Sequence, residues 1–206
     1  MAAFFANLRN TVIAGLVLAA IIFVIAWQTQ ALTGPTFWSF LLRWLHVIAG
    51  VMWIGLLWYF NFVSTPTMAK IPAELKPALG RFITPAALFW FRWSAMATII
   101  LGIGLASIYG YLLQAYTLDA TEGFANAKTI IIGIGMWLGT IMWFNVWFLI
   151  WPNQQKALNI NNRYPDLAQP QKDAAAKTAG MFSRINTMLS IPMLFCMVGA
   201  THMIIG

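Results

Sequence analysis

Leu42-Arg43-Trp44-Leu45-His46-Val47-Ile48-Ala49-Gly50-Val51-Met52-Trp53-Ile54-Gly55 is an apolar, helix-length run with one arginine and one histidine near its start. An ionisable side chain inside a membrane span is costly, so each one is a functional hypothesis by default. The chain has one other histidine, His202, and it too falls in an apolar run. Whether the two histidines serve one site is the question the sequence poses.

Composition sets the environment of that run. The chain has 206 residues, 61% of them hydrophobic and only 8% charged, with a mean hydropathy of +0.75. A soluble domain is about 25% charged, so the chain reads as an integral membrane protein. All five acidic residues (Glu74, Asp119, Glu122, Asp166 and Asp173) lie outside the apolar runs. The net charge of +7 comes mostly from connecting segments. It therefore reports topology and does not point to nucleic acid. One cysteine, Cys196, excludes an internal disulfide and a CxxCH attachment site for covalent haem. The amino terminus lacks a basic start followed by a small-residue cleavage site, so the first apolar run reads as a retained span.

Runs of about 20 apolar residues cross a bilayer core of ~30 Å. Working outward from the opening stretch, five are expected: about 11–31, 38–63, 86–113, 129–151 and 182–205. The fold class is then all-α, a five-helix membrane bundle forming one domain. Pro66, Pro72, Pro77 and Pro85 are expected to break up the connection after the second span. That connection carries Lys70, Lys76 and Arg81, and the one after the fourth span carries Lys156, Arg163, Lys172 and Lys177. Basic loops stay on the cytoplasmic side. The expected location is a bacterial inner membrane, with a cytoplasmic amino terminus and a periplasmic carboxyl terminus. His46 and His202 then both fall in the outer half of the membrane, at similar depth.

Helical spacing makes His46, Gly50 and Trp53 neighbours on one face. A glycine one turn from a histidine leaves a flat gap through which a porphyrin plane can approach the backbone. His202 repeats the pattern with Gly199 before it and Gly206 after it. Neutral imidazole is a standard axial ligand for haem iron. Arg43, towards the outer surface, suits a haem propionate. Each feature also has a plainer reading. A membrane histidine can simply bond a neighbouring helix, and Arg43 can snorkel to the interface. Gly135 and Gly139 read as close packing, and Arg92 and Arg184 as inner-interface anchors. Asn61, Asn145 and Asn186 read as interhelical hydrogen-bonding residues, and Cys196, Met193 and Met197 as apolar filler. No carboxylate lies within a span, which argues against a proton relay or ion-coupled transporter. No phosphate loop, zinc signature or serine nucleophile elbow is present. Two histidines without acids are too few for a typical hydrolytic metal site.

Three segments carry a family likeness. Arg43 to Gly55 resembles the membrane domain of the cytochrome-c-linked bacterial urate oxidase family. Leu88-Phe89-Trp90-Phe91-Arg92-Trp93 is similar to that family's Leu-His-Trp-Phe-Lys-Trp segment. Ser183-Arg184-Ile185-Asn186-Thr187 and the following Ile191-Pro192-Met193-Leu194-Phe195 are similar to its Ser-Arg-His-Asn segment and the proline-containing span after it. Trp151-Pro152-Asn153-Gln154 extends the likeness to the fourth span. Phe89 and Ile185 stand where the family pattern has histidine, and a fused cytochrome c domain is absent from this sequence. A more distant likeness covers copper-resistance and haem-biosynthesis membrane proteins. The resemblance implies a membrane redox scaffold that hands electrons to a c-type cytochrome.

The leading expectation is a non-covalent b-type haem protein for electron transfer. His46 and His202 are the expected axial ligands, Arg43 the propionate partner, Gly50 and Gly199 the clearance, and Trp53 a pocket wall. The expected partners are the lipid bilayer and a c-type cytochrome or larger respiratory membrane complex. The alternatives are a membrane component of a urate (purine) oxidase with a separate cytochrome, and a cofactor-free accessory subunit. A copper-handling role is weaker, because the methionines are not clustered with the histidines.

Overall fold

The computed structural model describes residues 2–28, 35–68 and 70–202 of the chain. The described residues are helical or irregular, with no strand among them. Among the described residues, five helices are long and apolar enough to cross a membrane. We label their α-helical segments α1 (Leu8–Gln28), α2 (Pro35–Trp58), α3 (Thr84–Ile108), α4 (Ala127–Phe144) and α5 (Gln169–His202). The expected ends of the first and fifth spans, 29–31 and 203–205, lie outside the described residues, as does Gly206.

The chain divides into two compact units, Met1–Leu41 and Leu42–Gly206. In the first unit α1 has no buried residue. Its Phe23 and Trp27 meet Phe37 edge-on at 4.9 and 5.3 Å between ring centres. In the second unit the core is drawn from all four long helices. Trp53, Ile54 and Leu57 of α2 pack with Leu88, Phe91 and Ala95 of α3, Met142 of α4, and Ala179 and Met193 of α5.

Proline does not break the helices where the sequence suggests. Pro66 and Pro85 were expected in an irregular connection, yet the helices run continuously over Thr36–Met68 and Lys76–Ile108. A wide π-helical turn precedes each: Tyr59–Ser64 before Pro66 and Leu79–Ile83 before Pro85. The same device recurs at Asn145–Ile150 before Pro152, carrying α4 on through Trp151–Leu158. Proline has no N–H and its ring presses on the carbonyl four residues back. Widening the preceding turn to an i→i+5 pattern relieves that clash. Side chains then serve carbonyls in the disturbed turns: Thr84 Oγ1 donates to Leu79 O at 3.1 Å and Asn153 Nδ2 to Leu149 O at 2.8 Å.

The third span also ends earlier than the expected 113. Gly110 takes φ +74°, Tyr111 N–H bonds Ala106 O at 3.1 Å, and Gly110 N–H bonds Ser107 O at 3.0 Å. These paired bonds close a helix around a left-handed glycine. The apolar residues that follow form a separate short helix, Leu112–Tyr116.

The three asparagines act as expected. Ser183, Asn186 and Ser190 lie three and four residues apart on one face of α5. Asn186 is fully buried and donates Nδ2 to Met142 O at 2.9 Å, while accepting from Asn145 Nδ2 at 2.8 Å. Ser183 accepts from Asn61 Nδ2 at 2.8 Å, and Ser190 from Trp58 Nε1 at 2.9 Å. With no water to compete, such bonds tie helices together inside a membrane.

Candidate functional site

A cleft of about 940 Å³ lies in the second unit. It opens beside two of the π-helical turns. The turn at Tyr59–Ser64 presents Phe60, Asn61 and Ser64; the turn at Leu79–Ile83 presents Gly80, with Thr84 after it. The extension of α4 contributes Gln154, and α5 contributes Lys177, Ser183 and Arg184. Lys76 completes a rim of three cations, and no acidic residue lines the cleft. Phe60 meets Phe91 edge-on at 5.9 Å in its wall. An altered helical turn rotates the residues after it out of the regular register, and π-turns are frequent at functional sites for that reason.

The hydrogen-bonding state of the lining shows what it offers. Asn61 spends its Nδ2 on Leu57 O and Ser183 Oγ, which leaves Oδ1 as a spare acceptor. The Gln154 amide and the Ser64 hydroxyl have no protein partner among the described residues, and both side chains are half-buried. Lys76, Lys177 and Arg184 are exposed and form no ion pair among the described residues. The cleft therefore combines positive potential, spare amide and hydroxyl groups, and aromatic surface. Chemically this suits a small anion with a polar edge and a flat apolar face.

The histidines lie elsewhere. His46 on α2 is half-buried, and its Nδ1 is 2.9 Å from Thr98 O on α3. A carbonyl only accepts, so Nδ1 carries the proton and Nε2 presents its lone pair. The clearance beside this ring comes from Gly102 on α3, where an added Cβ would fall 2.9 Å from His46 Cε1. Gly50 faces the Thr98 methyl group at 3.9 Å. Arg43 donates from Nη2 to Tyr109 OH at 2.9 Å, and its guanidinium lies 5.3 Å from the centre of that ring. Beside them, burial pushes the Tyr111 phenol above its ordinary range, Arg43 pulls it down, and Tyr109 adds to the rise.

His202 is exposed at the end of α5, and its Nδ1 is 3.1 Å from Val198 O in its own helix. Gly199 is buried one turn earlier. Trp53 is 1% exposed and sits in the core with its Nε1 unpaired. Among the described residues, no hydrogen bond links His46 to His202. No group of three or more His, Cys, Asp or Glu side chains is placed to hold a metal ion among the described residues.

Sequence reading passed over Lys76, Gln154, Lys177 and the Ser64 hydroxyl. No spacing rule joins residues from four separate helical segments. The available signal was the recurrence of proline (Pro66, Pro85 and Pro152) just outside three of the expected apolar runs.

Comparison with known families adds one finding. The family model described as Urate oxidase N-terminal matches residues 108–205, and over that part the chain resembles this family. The match takes in Gln154, Lys177, Ser183, Arg184, Gly199 and His202; Arg43, His46, Gly50, Trp53, Asn61 and Lys76 lie before it. No curated protein matches the chain, and no solved structure does.

Proposed function

We propose that the chain is a membrane redox component related to urate oxidase, and that its cleft receives an anionic purine. The observation that carries this reading is the lining of the cleft, with Lys76, Lys177 and Arg184 at the rim and Gln154 and Ser64 uncommitted within. A purine anion has amide-like donors and acceptors along its edges and an apolar face. Gln154 and Asn61 Oδ1 complement the edges, and Phe60 the face. Exposed cations attract the anion over several ångströms and raise its encounter rate. Oxidising such a ring removes electrons in pairs, so an acceptor is required. A separate c-type cytochrome fills that role. The basic connections, which tend to stay cytoplasmic, support a cleft that opens on the cytoplasmic side of a bacterial inner membrane.

Gln154→Leu is expected to weaken urate binding on the order of five- to tenfold, from a net hydrogen bond of about 1 kcal/mol. Cytochrome c reduction by wild-type protein in membranes should depend on added urate, and the Gln154→Leu variant should need more urate for the same rate. Equal urate dependence in the two proteins would remove Gln154 from the site.

A second reading is favoured by the histidine geometry. Both histidines direct Nδ1 at a carbonyl, which leaves Nε2 free, and this is the tautomer that ligates metal through Nε2. The donor chemistry thus fits a b-type haem at His46, with His202 as a further candidate ligand. Haem would supply a one-electron carrier. In that arrangement Arg43, which donates to Tyr109 OH, would hold a propionate instead. A dithionite-reduced minus oxidised spectrum of haem-replete protein is expected to show a b-type band. His46→Ala should abolish the band and Gly102→Ala should shift it, because the added methyl displaces the imidazole from Thr98. A band unchanged in His46→Ala removes His46 from the ligand set.

A further inference from the structure

Arg92 on α3 has an unusual surround. Its guanidinium carbon lies 3.7 Å from the centre of the Trp151 ring, 5.3 Å from Trp147 and 5.8 Å from Trp93. Its Nε is sealed from solvent and has no hydrogen-bond partner. No carboxylate reaches it among the described residues, and the chain's acidic residues all lie in connections or in the polar first turns of α5. Facing tryptophan rings recover part of the cost of a cation in a membrane span. They supply no hydrogen-bond acceptor for the guanidinium N–H groups, which are built to bind an oxyanion in two-point geometry.

The surroundings define the kind of anion. Trp93 is 47% exposed, and neighbouring Phe89 and Trp90 are 50% and 58% exposed. Arg92 therefore opens onto an aromatic outer surface and not into the basic cleft, whose lining does not include it. A water-borne anion gains nothing from that surface, whereas an amphiphile covers it with acyl chains. Depth agrees. Trp151 starts the polar extension of α4, and Lys156 follows within it, which is the level at which tryptophans and basic residues meet lipid headgroups. We propose that Arg92, framed by Trp93, Trp147 and Trp151, binds the phosphate of an anionic phospholipid in the leaflet on the basic-loop side.

The test is native mass spectrometry of the full chain from mixed micelles containing phosphatidylglycerol and phosphatidylcholine in equal amounts. Wild type is expected to retain phosphatidylglycerol about tenfold over phosphatidylcholine. Arg92→Gln should lose most of that preference, and Arg92→Lys should keep part of it through charge alone. Millimolar inorganic phosphate should not displace the lipid. Wild type without a phosphatidylglycerol preference overturns the proposal, whether or not Arg92→Gln folds. So does an equal preference in a folded Arg92→Gln variant, which would make the stacked arginine a structural strut. Displacement by inorganic phosphate would also overturn it, by identifying a free-anion site.

Discussion

Gly133→Ala is expected to destabilise the protein by roughly 3 kcal/mol, at the upper end of the usual cost of overpacking. An added Cβ would land on the backbone carbonyl of Ala115 and 3.0 Å from Leu118 Cδ2. A flexible side chain can turn aside, but this carbonyl belongs to the short helix Leu112–Tyr116. That helix is pinned to α4 by Trp137 Nε1 donating to Tyr116 O at 2.9 Å and by the Tyr116–Thr140 hydroxyl pair at 3.0 Å. Relief would move α4 as a body and displace Asn145 and Gln154 with it. Gly139 is the internal control. Its Cβ would meet only Ile99 Cδ1 at 3.9 Å, an ordinary contact, so Gly139→Ala should be close to neutral or gain from helix propensity. Thermal unfolding in detergent checks both. Equal midpoints for the two variants would contradict the close approach at Gly133.

The second large effect is expected at Asn186. Asn186→Leu removes the donor to Met142 O and the acceptor for Asn145 Nδ2 in a fully buried setting. An orphaned buried polar group costs about 1–3 kcal/mol, although such bonds are often worth less when the unfolded reference stays in the membrane. We expect a loss of roughly 2 kcal/mol. Replacing Asn145 as well removes the orphan, so the double variant should lose less than the sum of the single changes. Additive losses in the unfolding midpoints would mean that the two amides are not coupled.

These two sites show how far the sequence carries. The five long apolar helices, the interhelical asparagines and the buried filler at Met193 and Cys196 are legible because burial in lipid leaves few options for apolar and polar groups. Of the two glycines read as close packing, only Gly135 is one: its Cβ would come 2.9 Å from Cys196 Cβ, whereas that of Gly139 would meet only Ile99 Cδ1 at 3.9 Å. Gly133, two residues before Gly135 and tighter, was not singled out, because its constraint comes from a short helix after the third span that apolarity merged into that span. Helix boundaries failed for a related reason. Proline is a local signal of termination, but a π-turn lets a packed helix continue past it, and packing is not visible locally. Gly102 was not singled out either, because the close approach that makes it matter, 2.9 Å from an added Cβ to His46 Cε1, is made between α3 and α2. The cleft escaped altogether. Its cations look like topology markers in sequence, and only the folded chain gathers Lys76, Lys177 and Arg184 around Gln154.

Equilibrium dialysis of isotopically labelled urate against the purified full chain tests the cleft assignment most directly. The account predicts saturable binding of one urate per chain, weakened by added salt because the rim cations are exposed, and weakened further in Gln154→Leu. Folded wild-type protein that binds no urate above a detergent blank would contradict it.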